Sequence, residues 1–259
     1  MKLFNLNICI KRDNNKGVVD LLKKDSYDIV TLQESMRKLD DKVNPFFDSC
    51  NFIRKNTKYE NNFFGAVWVA KKQIKNGKIL RDFGGYAEQG NQLLTNLPII
   101  ESRNVFFHKH YGNNDDRTNF ITDDHPRAFI DVILKVGNKE LQIINIHGTW
   151  TVDKQSNKIT KIQTKALLEA IRDDIPSIVV GDLNLLPETK EIQTLSKKMH
   201  NLIEQYNINS TRPDFNDGLE TGNIVCDYLF VNDKVKVNNF QILNSNVSDH
   251  FPMILDFDI

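Results

Sequence analysis

Long apolar runs are absent. No stretch of the 259 residues approaches the roughly 18 consecutive apolar positions of a membrane-spanning helix. The opening run, Met1 to Ile10, is broken by Asn5 and Asn7, so it makes a poor signal peptide and a good strand. That concerns the chain as given, because a leader already removed leaves no trace. Cysteine is scarce: Cys9, Cys50 and Cys226 are an odd number with no CxxC spacing. This excludes a disulfide scaffold and a zinc ribbon, and predicts buried free thiols in a reducing, cytoplasmic setting. Net charge is also missing, with 34 Lys+Arg against 34 Asp+Glu. The simple electrostatic case for a dedicated nucleic-acid binder therefore fails, although a local basic strip stays open. There is no internal repeat, low-complexity linker or composition break, so residues 1–259 are read as one domain, expected to be a monomer.

The most informative stretch is Ser177-Ile-Val-Val-Gly-Asp-Leu-Asn184. It is too short and too β-branched for a helix and reads as a buried strand. If it stays extended, Asp182 and Asn184 project to the same side at its carboxyl end. Gly181 lets another backbone or a substrate come close. Taken alone, an ordinary Asp/Asn turn after a strand is the better explanation of the run.

Similar polar residues recur at other strand ends. Residues 2–10 form a first strand with Asn5 and Asn7 on one face. Residues 14–24 read as a short amphipathic helix. Ile29 to Leu32 is a buried strand with Glu34 just beyond it, a metal-ligand candidate or a Glu favoured by a helix N-terminus. Residues 50–56, 63–70 and 92–107 are strand-like. His108 to His125 reads as a long Asn/Asp-rich surface loop whose histidines are solvated. Residues 127–136 and 139–146 form a hairpin about Gly137-Asn138, with His147 at the end of its second strand. Lys154, Lys158, Lys161 and Lys165 lead into a helix over 162–171. They form either a phosphate-attracting strip near His147 or a solvated helix face. Pro187-Glu188 opens another helix. Asp227 interrupts a buried strand over 224–231 and needs a partner, for which His250, before a last strand over 251–257, is the natural candidate.

Mixed helices and hairpins of this kind fit a sandwich of two mostly antiparallel sheets covered by helices. If the strand ends converge, Glu34, Asp182, Asp227 and Asp249 share one cleft. Carboxylates that close need a compensating cation. Hard oxygen donors point to Mg²⁺ or Mn²⁺ over Zn²⁺.

Asn5-Leu-Asn7, Leu32-Gln-Glu34, Asn145-Ile-His147, Gly181-Asp-Leu-Asn184, Asp227-Tyr-Leu-Phe230 and Ser248-Asp-His250 occur in an order and spacing that spans essentially the whole chain. In this the sequence resembles the endonuclease/exonuclease/phosphatase superfamily, with the deoxyribonuclease-I-like fold. The resemblance implies a four-layered α/β sandwich and divalent-metal-dependent hydrolysis of a phosphoester by water. It implies Glu34 as main metal ligand, with Asn7 and Asp249 in or near the shell. Asp182 would align or deprotonate the water, and Asn184 would orient water or phosphate. His250, held by Asp227, would stabilise phosphoryl charge. His147 and Asn5 would contact phosphate, with Arg127 as a further contact; separately, the segment Asn209-Ser-Thr-Arg212 is expected to bring Arg212 near the cleft as a phosphate contact. His147 departs from the AP-endonuclease branch, which usually has Tyr there. A phosphodiesterase or nuclease is expected. The alternatives are a phosphatase of a small-molecule, nucleotide or lipid phosphate, and a non-catalytic module on the same fold. Nucleic acid is one of several open partners.

Overall fold

Alternation along the first strand sorts the molecule into layers. In β1 (Lys2–Asn7), Leu3 joins the large core between the sheets, while Phe4 and Leu6 join a second cluster under helices. Successive strand side chains face opposite ways, so Asn5 and Asn7 share the inward face of Leu3. The computed structural model describes residues 1–9, 14–75, 78–112, 125–214 and 222–259.

After β1 the described chain runs α1 (Asn15–Leu22), β2 (Ile29–Lys38), α2 (Ser49–Asn56), β3 (Asn61–Lys75), β4 (Lys78–Thr95), β5 (Ile99–His108), β6 (Arg127–Val136), β7 (Lys139–His147), α3 (Lys158–Ala170), β8 (Ser177–Asp182), α4 (Lys190–Lys198), β9 (His200–Asn201), α5 (Leu202–Gln205), β10 (Asp227–Val231), β11 (Lys236–Ile242) and β12 (Met253–Asp258). Two six-stranded sheets result, ordered β11-β12-β1-β2-β4-β3 and β5-β6-β7-β8-β10-β9. Each contains one parallel pair, β1/β2 and β7/β8, and otherwise pairs antiparallel. Val18, Val19, Leu21 and Leu22 of α1 and Ile53 of α2 pack on the outer face of the first sheet. Ile159 and Leu167 of α3 and Ile192 and Leu195 of α4 pack with the second. This is the expected four-layered α/β sandwich, and the three cysteines are buried and free.

Three expectations change. Residues 50–56 are helical: Ser49, Cys50 and Ile53 are buried at helical spacing while Phe52 is exposed. The run over 92–107 is two strands in different sheets, broken at 96–98, where Pro98 lacks a ladder donor. Most of the 108–125 loop, residues 113–124, lies outside the described residues, but His125 is buried edge-on against Trp68, not solvated.

Candidate functional site at the strand ends

The two parallel pairs point their carboxyl ends at the same place, and such ends are where open sheets leave room for ligands. Asn7 is paired with Gln33 across β1/β2. His147 is paired with Asp182 across β7/β8, and Asp182 with Asp227 across β8/β10. His147, Asp182 and Asp227 thus stand in one row on three neighbouring strands. Asn7 closes the gap between the sheets, donating from Nδ2 to Asp182 Oδ2 at 3.1 Å. Gly181 makes the β7/β8 approach available: its φ is +137° and a Cβ there would lie 2.1 Å from Ile146 O.

Beyond Asp182 the chain leaves the strand. Asn184 is left-handed at φ 56°, a conformation Asn tolerates, and its N–H donates to Asp182 Oδ1 at 2.8 Å. The Asp/Asn turn is therefore real, and it is what carries Asn184 to the site; the extended spacing is not. His250 completes the row. Its Nδ1–H donates to Asp227 Oδ2 at 2.8 Å and Oδ1 at 3.0 Å, and its Nε2 lies 3.8 Å from Asp182 Oδ2 and 4.0 Å from Asp249 Oδ1. Thr211 Oγ1 donates to Asp227 at 2.8 Å. On the other flank, His147 Nε2 is 3.8 Å from both Glu34 Oε1 and Asp182 Oδ2.

Burial and charge set the protonation states. Burial pushes the Asp182 carboxyl up, and the Asp227 charge adds to the rise. Burial would also raise Asp227, but His250 and the Thr211 hydroxyl outweigh it and hold that carboxyl low. Burial disfavours a charged His250, yet Asp227 and Asp249 raise it well above an ordinary imidazole. His147 goes the other way: burial drives it down to about 4, against the pull of Asp182. At neutral pH the row holds an ionised Asp227, a cationic His250 and a neutral His147.

The remaining expected residues divide. Glu34 is not beyond its strand, since β2 continues to Lys38. Glu34 sits in a bulge between Leu32 and Ser35 with φ 58°, a strained backbone for a Glu. Arg127, buried at the start of β6, donates to Gly148 O at 2.9 Å, and burial lowers its guanidinium to about 10 against the pull of Asp182 and Glu34. Arg212 reaches the cleft, but its Nη2 is paired with Asp249 Oδ2 at 2.9 Å. Asn5 lies deeper, between the sheets. Its Oδ1 accepts from Gln33 Nε2 and Thr31 Oγ1, and Gln33 Nε2 also donates to Asn145 Oδ1 on the facing sheet.

With that geometry in hand, the sequence matches the model of the Endonuclease/Exonuclease/phosphatase family over residues 3–250. The chain belongs to this family. Its members hydrolyse phosphate esters, nucleic acids among them. No curated protein sequence matches it. Among solved structures, it is similar to an endonuclease/exonuclease/phosphatase from Beutenbergia cavernae, with 13% identity and TM-score 0.76, covering all of this chain and 71% of that one. A mannosyl-6-phosphatase from Bacteroides thetaiotaomicron shares 16% identity at TM-score 0.69, with both chains fully covered. D. rerio TDP2 complexed with a single-strand DNA product shares 14% identity at TM-score 0.64, covering all of this chain and 99% of that one. At these identities the neighbours establish the fold alone.

Enzymes of this family generally use divalent metal ions, and the donor chemistry here fits one. The Glu34 and Asp249 side chains are 19% and 18% exposed, whereas those of Asp182 and Asp227 are sealed at 3% and 1%. The accessible carboxylates therefore flank the row, and they are hard oxygens of the kind that divalent cations take. Asn7 Oδ1 already accepts the Cys9 N–H at 3.1 Å and keeps a second lone pair. Cys226, Asp227 and His250 also offer ligand atoms within 4.8 Å of one another. That trio is a poor cation site, because Asp227 and His250 bond each other and burial pushes the Cys226 thiol up to about 12. The sequence reading places one residue only in a lysine strip and misses its contact with the site. Lys154 belongs to no solvated helix face; it precedes α3, is buried, and donates from Nζ to Asn184 Oδ1 at 2.8 Å. Its spacing carried no signal, since its partner lies thirty residues on.

Proposed function

We propose that the protein is a divalent-metal-dependent phosphoester hydrolase that uses water as nucleophile. The observation that carries this reading is Asp182. It is a buried carboxylate with a raised proton affinity, oriented by Asn7 and the Asn184 N–H, between a neutral His147 and a cationic His250.

Both Asp182 oxygens accept one protein hydrogen bond and keep a lone pair. The carboxylate takes a proton from water as the water oxygen bonds to phosphorus and the leaving-group oxygen departs in line. His250 has Nδ1 committed to Asp227, so Nε2–H is the donor left for a nonbridging phosphoryl oxygen. Neutral His147 supplies a second imidazole contact. The Arg127 charge beneath offsets the carboxylates. Glu34 and Asp249, with Asn7 beside them, would hold the metal ion, which supplies Lewis-acid stabilisation of developing charge.

The leaving group is less defined. A mannosyl-6-phosphatase and a DNA-bound TDP2 share the fold, and zero net charge weighs against extended DNA as substrate. A small phosphomonoester, a nucleotide, a lipid head group or a short nucleic-acid end fits the site chemistry. A non-catalytic module is the weaker alternative, because every matched position is filled. The test is a screen of phosphodiesters and phosphomonoesters with Mg²⁺ and Mn²⁺, using Asp182→Asn as control. The variant is expected to fold normally and lose about 10²–10⁴-fold in turnover. Near-wild-type activity in that variant removes Asp182 from the mechanism.

A further inference from the structure

Lys154 has an unusual setting for a lysine in a loop. It is 3% exposed and left-handed at φ 56°. Its carbonyl accepts the Leu186 N–H at 3.0 Å, which ties the loop before α3 to the loop after β8. Its Nζ lies 4.8 Å from the centroid of the Trp150 ring, so the ammonium keeps an attractive partner out of water. The same Nζ donates to Asn184 Oδ1 at 2.8 Å.

That last contact has a directional consequence. An ammonium only donates, so only the oxygen of the Asn184 amide can face it. The amide cannot flip without setting its NH2 against three N–H donors. Asn184 Nδ2 is therefore turned away from Lys154, and it is buried with no protein partner among the described residues. A buried donor left without an acceptor is costly, so such a group calls for an explanation. An oxygen supplied by a ligand is a sufficient one, and Asp182 stands two residues away, accepting the Asn184 N–H.

We infer that Lys154 is a positioning residue that locks the side-chain amide of Asn184 so that its NH2 donates to an oxygen of a bound phosphoryl group or of the attacking water. This rests on the phosphoester-hydrolase reading. The ammonium fixes which end of the amide faces the reacting oxygen, while Trp150 and the Leu186 contact fix the ammonium.

The variants are Lys154→Met, Lys154→Gln, Asn184→Ala and the Lys154→Met/Asn184→Ala double. Two measurements are made: kcat and KM on bis-p-nitrophenyl phosphate with Mg²⁺, and an inorganic-phosphate titration in chelator read at the Asn184 side-chain NH2 resonances by NMR. Lys154→Met is expected to lower kcat by up to about 100-fold, the scale of a small misplacement at a reacting centre. The double variant is expected to be no slower than Asn184→Ala, because both changes remove one contact. Lys154→Gln, which keeps a donor, should recover part of the loss. Phosphate should shift the Asn184 NH2 signals in the wild type and not in Lys154→Met. Multiplicative losses in the double variant, or an undiminished phosphate shift in Lys154→Met, overturn the inference. Wild-type protein inactive on every phosphoester overturns the hydrolase reading instead, and the phosphate titration still decides the role of Lys154.

Discussion

Replacing Asp227 by Asn removes one charge and almost no volume, so it isolates what that charge does for His250. The side chains are 1% and 6% exposed, and Nδ1 bonds both carboxylate oxygens, so the pair is buried and well formed. Removing one partner of a buried ion pair costs about 3–5 kcal/mol when the other stays charged. His250 escapes part of this by releasing its proton, and Asn retains an oxygen acceptor for Thr211 and the imidazole. About 3 kcal/mol is therefore the ceiling at neutral pH, a melting midpoint lower by up to about 10 °C for a chain of this size. The pH dependence has a definite sign. The folded-state value of His250 is raised, so its contribution is full below the unfolded imidazole value of about 6.5 and is lost as pH rises through the folded value. The folded-state value of Asp227 is depressed, so its contribution is present above the unfolded carboxyl value of about 3.9 and is lost as pH falls through the folded value. Wild type should exceed Asp227→Asn most between roughly pH 4 and 6.5, with the gap narrowing above that. Turnover should fall about 10²–10³-fold at neutral pH, the usual effect of losing one preorganised donor to a developing oxyanion. Urea melts across pH, paired with an NMR titration of the His250 ring, provide the assay. If His250 titrates as high in Asp227→Asn as in the wild type, the Asp227 charge is not what raises it beyond the share of Asp249 and the reasoning fails.

Chelation should abolish phosphoesterase activity, with Mg²⁺ or Mn²⁺ restoring it; full activity in excess chelator would remove the metal assignment. Glu34→Gln should raise the Mg²⁺ concentration needed for half-maximal activity while leaving the melting midpoint close to wild type, and an unchanged Mg²⁺ requirement would take Glu34 out of the ligand set. Gly181→Ala should destabilise by roughly 3 kcal/mol or more, because the Cβ meets Ile146 O at 2.1 Å and φ is +137°. Denaturant titration checks this, and a loss under about 1 kcal/mol would mean that the two backbones separate easily.

The layers and most strands were legible because β1 carries polar residues at alternate positions while β6, β7 and β8 are short, nearly continuous apolar runs bounded by turn residues. The row of polar strand ends was legible for the same reason. Asp182 ends and Asp227 begins a run that otherwise belongs in a core, and a carboxylate there requires a partner. Other features were hidden because they obey no local pattern. Residues 49–56 form a helix whose apolar positions are too few to reveal its period. Glu34 looked like a residue after a strand because nothing local announces that β2 resumes beyond a bulge. Lys154 and Asn184, or Arg212 and Asp249, meet only through tertiary folding. These hidden features also share a physical property. Of seven non-glycine residues with positive φ among the described residues, Glu34, Lys154 and Asn184 line the site, and Cys9 bonds Asn7. Backbone strain of about 1–3 kcal/mol per residue persists only where the surroundings over-determine it. Local rules therefore failed most where the chain leaves regular backbone geometry around the polar strand ends, at Glu34, Lys154 and Asn184.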